Sequence, residues 1–313
     1  MWQTSATVVT PTSKRWIWLL VPLLALCEVG AHGLIRARVP GDDAWRRAAA
    51  LVRAELRSGD AVTVAPTWAD PILRRHLGDL IPLAMAGRSD LAAYRRLWAL
   101  SIRGHRPDVP GAAGPTLQRE FGPVTVLRYD LPTPTVRHDL VEHLFDARVE
   151  QGKRAEPCPL RTLAPPRGGG LGKGVIPPGK RFVCNAKSAR GFVAPVVLED
   201  LALAPRYCTF HPALKRGPVR VTFANVPLAD ELVFHAGLYY EDERHGKGAP
   251  VHMRVLIDGA ERGSLTHRDG DGWVRFTVPT PAHAPATVTI EVDSSRPHKR
   301  GFCWAGSVRT GGP

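Results

Sequence analysis

Five cysteines, three methionines and an aromatic content of 7% are all that this chain of 313 residues offers of those residue types. No two cysteines stand at a C-x-x-C spacing, which excludes the common zinc-ribbon and dithiol redox sites. A G-x-S-x-G elbow is missing, and with it the usual exposed serine nucleophile. Long apolar runs are scarce too: the longest, Trp16 to Cys27, has twelve residues counting Pro22. Lysine is scarce, 8 against 34 arginines, and residues 151–216 have only three acidic side chains against twelve basic ones. That segment alone carries +9 of the chain's net +13. Its only aromatics are Phe182, Phe192, Tyr207 and Phe210, too few for the ring-and-cation interleaving of a nucleic-acid surface. A nucleic-acid partner is not expected; a phospholipid, acidic polysaccharide or other acidic surface fits the charge. The plainer expectation for the basic run is a solvated linker.

The apolar run continues weakly from Val29 to Ile35 after Glu28. No small-x-small cleavage site follows promptly, and Leu26 before Cys27 departs from the lipoprotein pattern. Residues 16–35 are therefore expected to be an uncleaved signal anchor, with a signal peptide as the alternative. Glu28 weakens the anchor reading, because a carboxylate at that depth is costly.

Residues 42–57, "DDAWRRAAALVRAELR", place Trp45, Ala49, Val52 and Leu56 on one helical face. Asp42 or Asp43 suits the cap, and Gly59 ends the pattern. "AVTVAP", "LWALSI" and "VTVLRYDL" read as strands, and "ADPILRRHLGDLIPLAMAG" as helix in two pieces broken at Pro82. "SDLAAYRRL" and "HDLVEHLFDARVE" (138–150) read as further helices. From about residue 181 the period becomes two. Val251, Met253, Val255 and Ile257 share one face, as do Val288, Ile290 and Val292, with Asp-Gly turns between the strands. The fold class expected is α+β in two domains: a small α/β layered domain, then an antiparallel β-sandwich of jelly-roll type. The divisions expected are a cytoplasmic N-terminus (1–15), the anchor (16–35), the α/β domain (36–150), a basic Pro/Gly-rich linker (151–180) and the sandwich (181–313).

Cys158, Cys184, Cys208 and Cys303 follow the apolar segment and allow three pairings. Cys208–Cys303 is favoured, since the first and last strands of a jelly roll are often neighbours. Cys158–Cys184 would then staple the Pro/Gly loop. Two disulfides imply an oxidising compartment and turn the bulk of the chain outward; buried free thiols are the alternative.

Candidate chemistry is sparse. "PRGGGLGKGV" fails as a phosphate loop because Lys173 is followed by Gly174 and Pro-Pro pairs flank it. His138 and Glu142 would share a helix face beside His143, but without zincin spacing. "HRDGDGW" (267–273), with Glu241, Asp242 and Glu243 if the two loops met, resembles part of a calcium loop, but the EF-hand's distal Glu is missing and a hairpin turn, the favoured reading, explains it without a metal. No catalytic residue, metal centre or cofactor is expected from these. For glycan, the aromatic and polar candidates are Tyr239, Tyr240, Trp273, Arg244 and His252; Trp304 reads as core.

Two resemblances add to this. "DAWRRAAALVRAELRSGDAVTVAP" with "YRRLWALSI" (residues 43–105) resembles the extracytoplasmic soluble tail of GT-C-type glycosyltransferases, without the polytopic portion that carries their chemistry. It implies a compartment and a fold. "PVHMRVLIDGAERGSLTHRDGDGWVRFTV", within residues 217–309, resembles the core of galactose-binding-like and carbohydrate-binding-module β-sandwiches, some of which bind glycans. The function expected is a membrane-anchored binding or scaffold protein of the bacterial envelope. It would be single-pass in the inner membrane with its bulk periplasmic or extracellular, engaging glycan or an acidic envelope polymer. A glycan-acting enzyme with an interdomain site and a purely structural subunit are the alternatives.

Overall fold

The computed structural model describes residues 14–37, 39–164, 175–246, 248–280 and 284–311. Most of the N-terminal segment before the anchor, and the Gly-rich stretch 165–174, lie outside the described residues.

The apolar run forms α1 (Lys14–Ala37). Its window Leu19–Arg36 has a mean hydropathy of 1.6, is long and apolar enough to cross a membrane, and buries nothing against the rest of the protein. Next come α2 (Asp42–Glu55), β1 (Asp60–Ala65), α3 (Asp70–Leu77), α4 (Leu83–Ala86), β2 (Arg96–Ile102), β3 (Leu117–Phe121) and β4 (Val124–Asp130). The four strands make one sheet in the order β1-β2-β4-β3, with β1 and β2 parallel and the other pairs antiparallel. Trp45, Ala48, Ala49 and Val52 from α2 and Leu73 and Leu77 from α3 bury against Val62, Leu97, Trp98 and Val126 of the sheet. The apolar stripe of α2 is what pins it there. Asp60 fixes the sheet's start. Its carboxylate accepts bonds from Arg96 (2.8 and 2.6 Å), the Trp98 indole (3.0 Å) and the Arg57 amide (2.8 Å). Burial pushes its pKa up, but the arginine, amide and indole outweigh that and hold it below the usual carboxylate range.

The remaining chain forms two facing sheets. Their elements are β5 (Val136–Asp139), β6 (Arg148–Gln151), β7 (Glu156–Pro157), β8 (Leu160–Thr162), β9 (Lys180–Val183), β10 (Phe192–Glu199), β11 (Pro205–Phe210), β12 (Val219–Pro227), β13 (Glu231–Leu238), α5 (Tyr240–His245), β14 (Val251–Ile257), β15 (Ala260–His267), β16 (Val274–Pro279), β17 (Pro285–Asp293) and β18 (Phe302–Arg309). One sheet runs β16-β13-β18-β11-β10-β9-β8, with β5 also paired to β18, and the other β15-β14-β17-β12-β6-β7. Alternation does what period two requires: Met253, Val255, Val288 and Ile290 face Phe234, Trp304 and Val308 across one core. The Trp304 indole donates to His211 Nδ1 (3.0 Å), and His211 Nε2 donates to Val219 O (3.0 Å). Full burial lowers the His211 pKa to about 3, so it is a neutral member of the core.

Three expectations change. Residues 138–150 are not a helix: β5 pairs with β18, a turn carries buried Leu140 and Leu144, and β6 pairs with β12. The leucines stand four apart as in a helix, yet sheet edges claim the chain on both sides of them. The divisions expected at 150 and 180 therefore fall inside the sandwich sheets, to which residues 136–162 contribute four strands. "SDLAAYRRL" is a run of turns, because Asp90 Oδ1 accepts the Ala92 amide (3.0 Å) in place of a helical bond.

Part of the outer face of the larger sheet, at β11, β13 and β18, is covered by the small α/β layer. β13 is consequently buried along nearly its whole length, not only at alternate residues. Gly87 lies where any side chain would collide: an added Cβ would sit 2.4 Å from the Tyr207 amide, which donates to Gly87 O (2.7 Å). Arg309 pairs with Asp90 (2.8 Å) across the same seam.

Candidate functional site

The two disulfides are closed as Cys158–Cys184 and Cys208–Cys303; Cys27 is free and exposed on α1. Cys208 and Cys303 lie in a second apolar cluster on the outer face of the larger sheet, with Phe192, Phe210 and Tyr239.

That cluster decides the fate of the aromatic candidates. Tyr239 is 3% exposed and packs in it, its ring edge-on to Tyr240 with centroids 4.8 Å apart. Burial raises its pKa. Tyr240 and Trp273 are half-buried against the same cluster. The Trp273 indole donates to Ser89 of the α/β layer (3.2 Å), and Arg206 stacks on its ring. Arg244 is exposed on α5, while His252 is exposed on β14, bonded to Thr266 (3.1 Å). No open aromatic platform forms among Tyr239, Tyr240 and Trp273. The rings close the seam and the outer apolar cluster, because that sheet face is covered and not solvated.

The acidic loops do meet, as a shared site would require, but their carboxylates are already engaged. Glu243 Oε1 accepts the Gly270 and Gly272 amides (3.1 and 2.7 Å), and burial raises its pKa. Asp242 accepts from Arg190 (2.7 and 2.6 Å) and from the Gly301 amide (2.8 Å). Asp269 accepts two bonds from Arg300 (2.7 and 3.0 Å). His138 lies on a strand, stacked on His143 at 4.2 Å, and not on a helix face shared with Glu142.

What these carboxylates organise is a cavity of about 640 Å3, within the usual range for small-ligand sites. It opens at the end of the sandwich where β6, β11 and β17 finish and β10, β12 and β18 begin. Gln151, Arg190, Lys215, Arg216, His298 and Lys299 line it, with Arg300 buried at 3% exposure behind them. No carboxylate is among the lining side chains. Asp242 and Asp269 stand behind the wall: Arg190 Nη1 donates to both Asp242 oxygens, and the Arg300 guanidinium pairs with Asp269 in bidentate geometry. The positive excess of residues 151–216, expected to be a solvated linker, supplies Arg190, Lys215 and Arg216 to this wall. The charge run was the available signal. Its convergence with residues 298–300 needed the fold.

Two other spaces differ in character. An open cavity of about 650 Å3 over the small sheet is lined by side chains of both signs, including Arg88, Asp90, Arg106 and Asp108. At the seam, Asp90, Asp139, Glu142 and His235 border a space of only about 120 Å3, below the roughly 300–1,000 Å3 of a small-molecule site. Burial lowers the His235 pKa to about 4 and raises that of Asp139, and Asp90 is committed to Arg309. The cluster works as a latch between the two layers.

No protein-family model matches the chain, and no curated protein matches it. Among solved structures it is similar to carbohydrate-binding-module sandwiches. One comprises the CBM51-2 (with GlcNAc) and INT domains of Clostridium perfringens ZmpB, at TM-score 0.31 and 14% identity over 44% of this chain. The overlay spans 29% of that protein's length. CBM51 of Clostridium perfringens GH95, in complex with methyl-galactose, overlays at TM-score 0.28 and 11% identity, covering 39% of this chain and 81% of that one. The tandem CBM51 modules of Sp3GH98 from Streptococcus pneumoniae overlay at TM-score 0.27 and 11% identity, covering 61% and 56%.

Proposed function

We propose that this chain is a membrane-anchored, extracytoplasmic binding protein of the bacterial envelope whose β-sandwich engages glycan. The observation that carries the reading is the loop-end cavity. It is open, large enough for a sugar unit, and walled by hydrogen-bonding side chains, two of which, Arg190 and Arg300, are held by ion pairs behind them. Supporting it, the exposed apolar α1 precedes a body closed by two disulfides, the arrangement of a single-pass protein with its bulk outside the cytoplasm. In this reading α1 is the anchor, the α/β layer is the support and the sandwich is the binding unit. Arg244 and His252, exposed elsewhere on the sandwich, are secondary glycan contacts. The test is a glycan array probed with the detergent-solubilised full chain. Retention of a defined set of glycans is expected, and retention of none overturns the reading.

A further inference from the structure

We propose that the end of the small sheet where β1 and β2 finish is a second membrane contact, with Trp68 seated in the headgroup layer of an anionic bilayer and Arg103 on a lipid phosphate. The inference rests on α1 being an anchor, and adds that the body lies against the bilayer and does not swing free on a tether.

Chain connectivity fixes which end of the body faces the membrane. β1 and β2 are parallel, starting together at Asp60 and Arg96 and finishing together at Ala65 and Ser101. Arg96 donates both to Asp60 (2.6 Å) and to the Glu55 carbonyl (3.1 Å), so the last turn of α2 sits where the strands start. The 14 residues of α2 span about 21 Å along the sheet, so the helix begins at the opposite end, where the strands finish. Residues 38–41 alone separate that start from Ala37 at the end of α1, a reach of no more than about 18 Å. The anchor therefore leaves the bilayer beside the finishing ends of β1 and β2, whatever tilt it takes. Accordingly, Ile35 and Pro40 line a cavity of about 900 Å3 together with Arg103 and Gly104, which follow β2, and Gly122 and Pro123, which turn β3 into β4.

That end carries what a membrane interface selects. Trp68, just beyond β1, is 60% exposed and is the one exposed Trp, Tyr or Phe among the described side chains. An indole has an apolar body and a polar N–H, and the headgroup layer of a bilayer accommodates both. The Arg103 guanidinium lies over its ring, 5.8 Å from the centroid. Arg36, Arg103, Arg106 and Arg119 are exposed near this end without a carboxylate partner among the described residues, against the acidic side chains Asp108 and Glu120. Asp42 and Asp43, at the start of α2, are already paired with Arg46 (3.4 and 2.6 Å). The face is net positive, which favours anionic headgroups over neutral ones.

Spin labelling of the full chain in lipid nanodiscs tests this. With Cys27→Ser removing the free thiol, Thr67→Cys labels the face beside Trp68 and Arg262→Cys labels the sandwich. Thr67, Trp68, Arg103 and Arg262 are all exposed, so substitutions there leave the core intact. In discs containing phosphatidylglycerol, access to oxygen relative to a water-soluble nickel chelate is expected to be about fivefold higher at position 67 than at position 262. Trp68→Ala with Arg103→Glu should bring the two sites within about twofold, and discs of phosphatidylcholine alone, or high salt, should lower the ratio about threefold. Equal access at the two sites, in chain that stays in the discs, would overturn the second contact and leave the anchor standing. A chain that does not enter the discs would overturn both. A ratio unmoved by phosphatidylglycerol and by Arg103→Glu would overturn the anionic class. Dipolar broadening between labels at position 67, in place of oxygen contact, would make the face an interface between copies of the chain and overturn the bilayer.

Discussion

The small α/β layer and the β-sandwich are held together by different means, although they share a seam. In the layer, helices cover one mixed sheet, and a buried ion pair, Asp60 with Arg96, pins the edge where β1 and β2 begin. In the sandwich, both closed disulfides and a neutral core histidine do the equivalent work. Sequence separation separates the two. Asp60 and Arg96 are 36 residues apart and joined by compact helices, whereas Cys208 and Cys303 are 95 apart. Linking distant strands covalently removes more freedom from the unfolded chain, so the region with longer-range pairing benefits more from a covalent staple.

The largest expected effect that breaks this contrast is removal of the long staple. Cys208→Ser with Cys303→Ser should cost about 4–5 kcal/mol, against about 3 kcal/mol for the Cys158/Cys184 pair, read by urea unfolding. Equal losses would mean that loop length is not what the disulfides act through. Next, Asp60→Ala should cost about 3–5 kcal/mol, because it strands Arg96 and removes the acceptor of the Trp98 indole. A loss below about 1 kcal/mol would show that the layer does not depend on that pair. Gly87→Ala tests the seam. Its Cβ would press on the Tyr207 backbone, so about 1–3 kcal/mol should be lost, and unfolding of the two regions, followed by hydrogen exchange, should separate. Retention of a single transition with no loss would remove the seam from the account.

The smallest expected effect sharpens the comparison through pH. His211 and His235 hold folded pKa values of about 3 and 4, both lowered chiefly by burial, against about 6.5 unfolded. The unfolded chain therefore binds more protons, and stability falls as pH drops below about 6.5. The loss is of the order of 1 kcal/mol per pH unit from each histidine until its folded value is reached. Asp60 has the opposite charge type and a lowered pKa, so its contribution persists below the ordinary carboxylate range. The sandwich should weaken before the layer on acidification. Urea midpoints unchanged between pH 7 and 5 in wild type, and unchanged by His211→Gln, would contradict this.

Much of the layer was legible because its signals are local. The stripe Trp45, Ala49, Val52 and the strands "AVTVAP" and "LWALSI" carry their own period, and all three form as expected. The alternation in β14 and β17 was equally plain. Residues 138–150 misled because Leu140 and Leu144 satisfy a helical spacing, while the edges of β18 and β12, more than 65 residues away in sequence, claimed the flanking segments as strands. The site was less legible than the fold. Tyr239 and Trp273 looked like ligand platforms from composition, but whether a ring is a platform or a plug depends on what covers its sheet face. The acidic cluster 241–243 and Asp269 looked like cation ligands. Asp242 and Asp269 are instead the counter-charges of Arg190 and Arg300, pairings that span 52 and 31 residues, and Glu243 accepts the Gly270 and Gly272 amides.

What the sequence determined by itself was anything written in neighbouring residues: the apolar helix, the amphipathic stripe of α2, the alternation of the sandwich strands and the concentration of positive charge in residues 151–216. Those depend on periods of 3.6 and 2 and on local composition. The tertiary structure decided which faces were covered and which charges met. Burial of Tyr239 and the meeting of Arg190, Lys215 and Lys299 at one cavity follow from strands and loops far apart in the chain ending on the same side of two facing sheets.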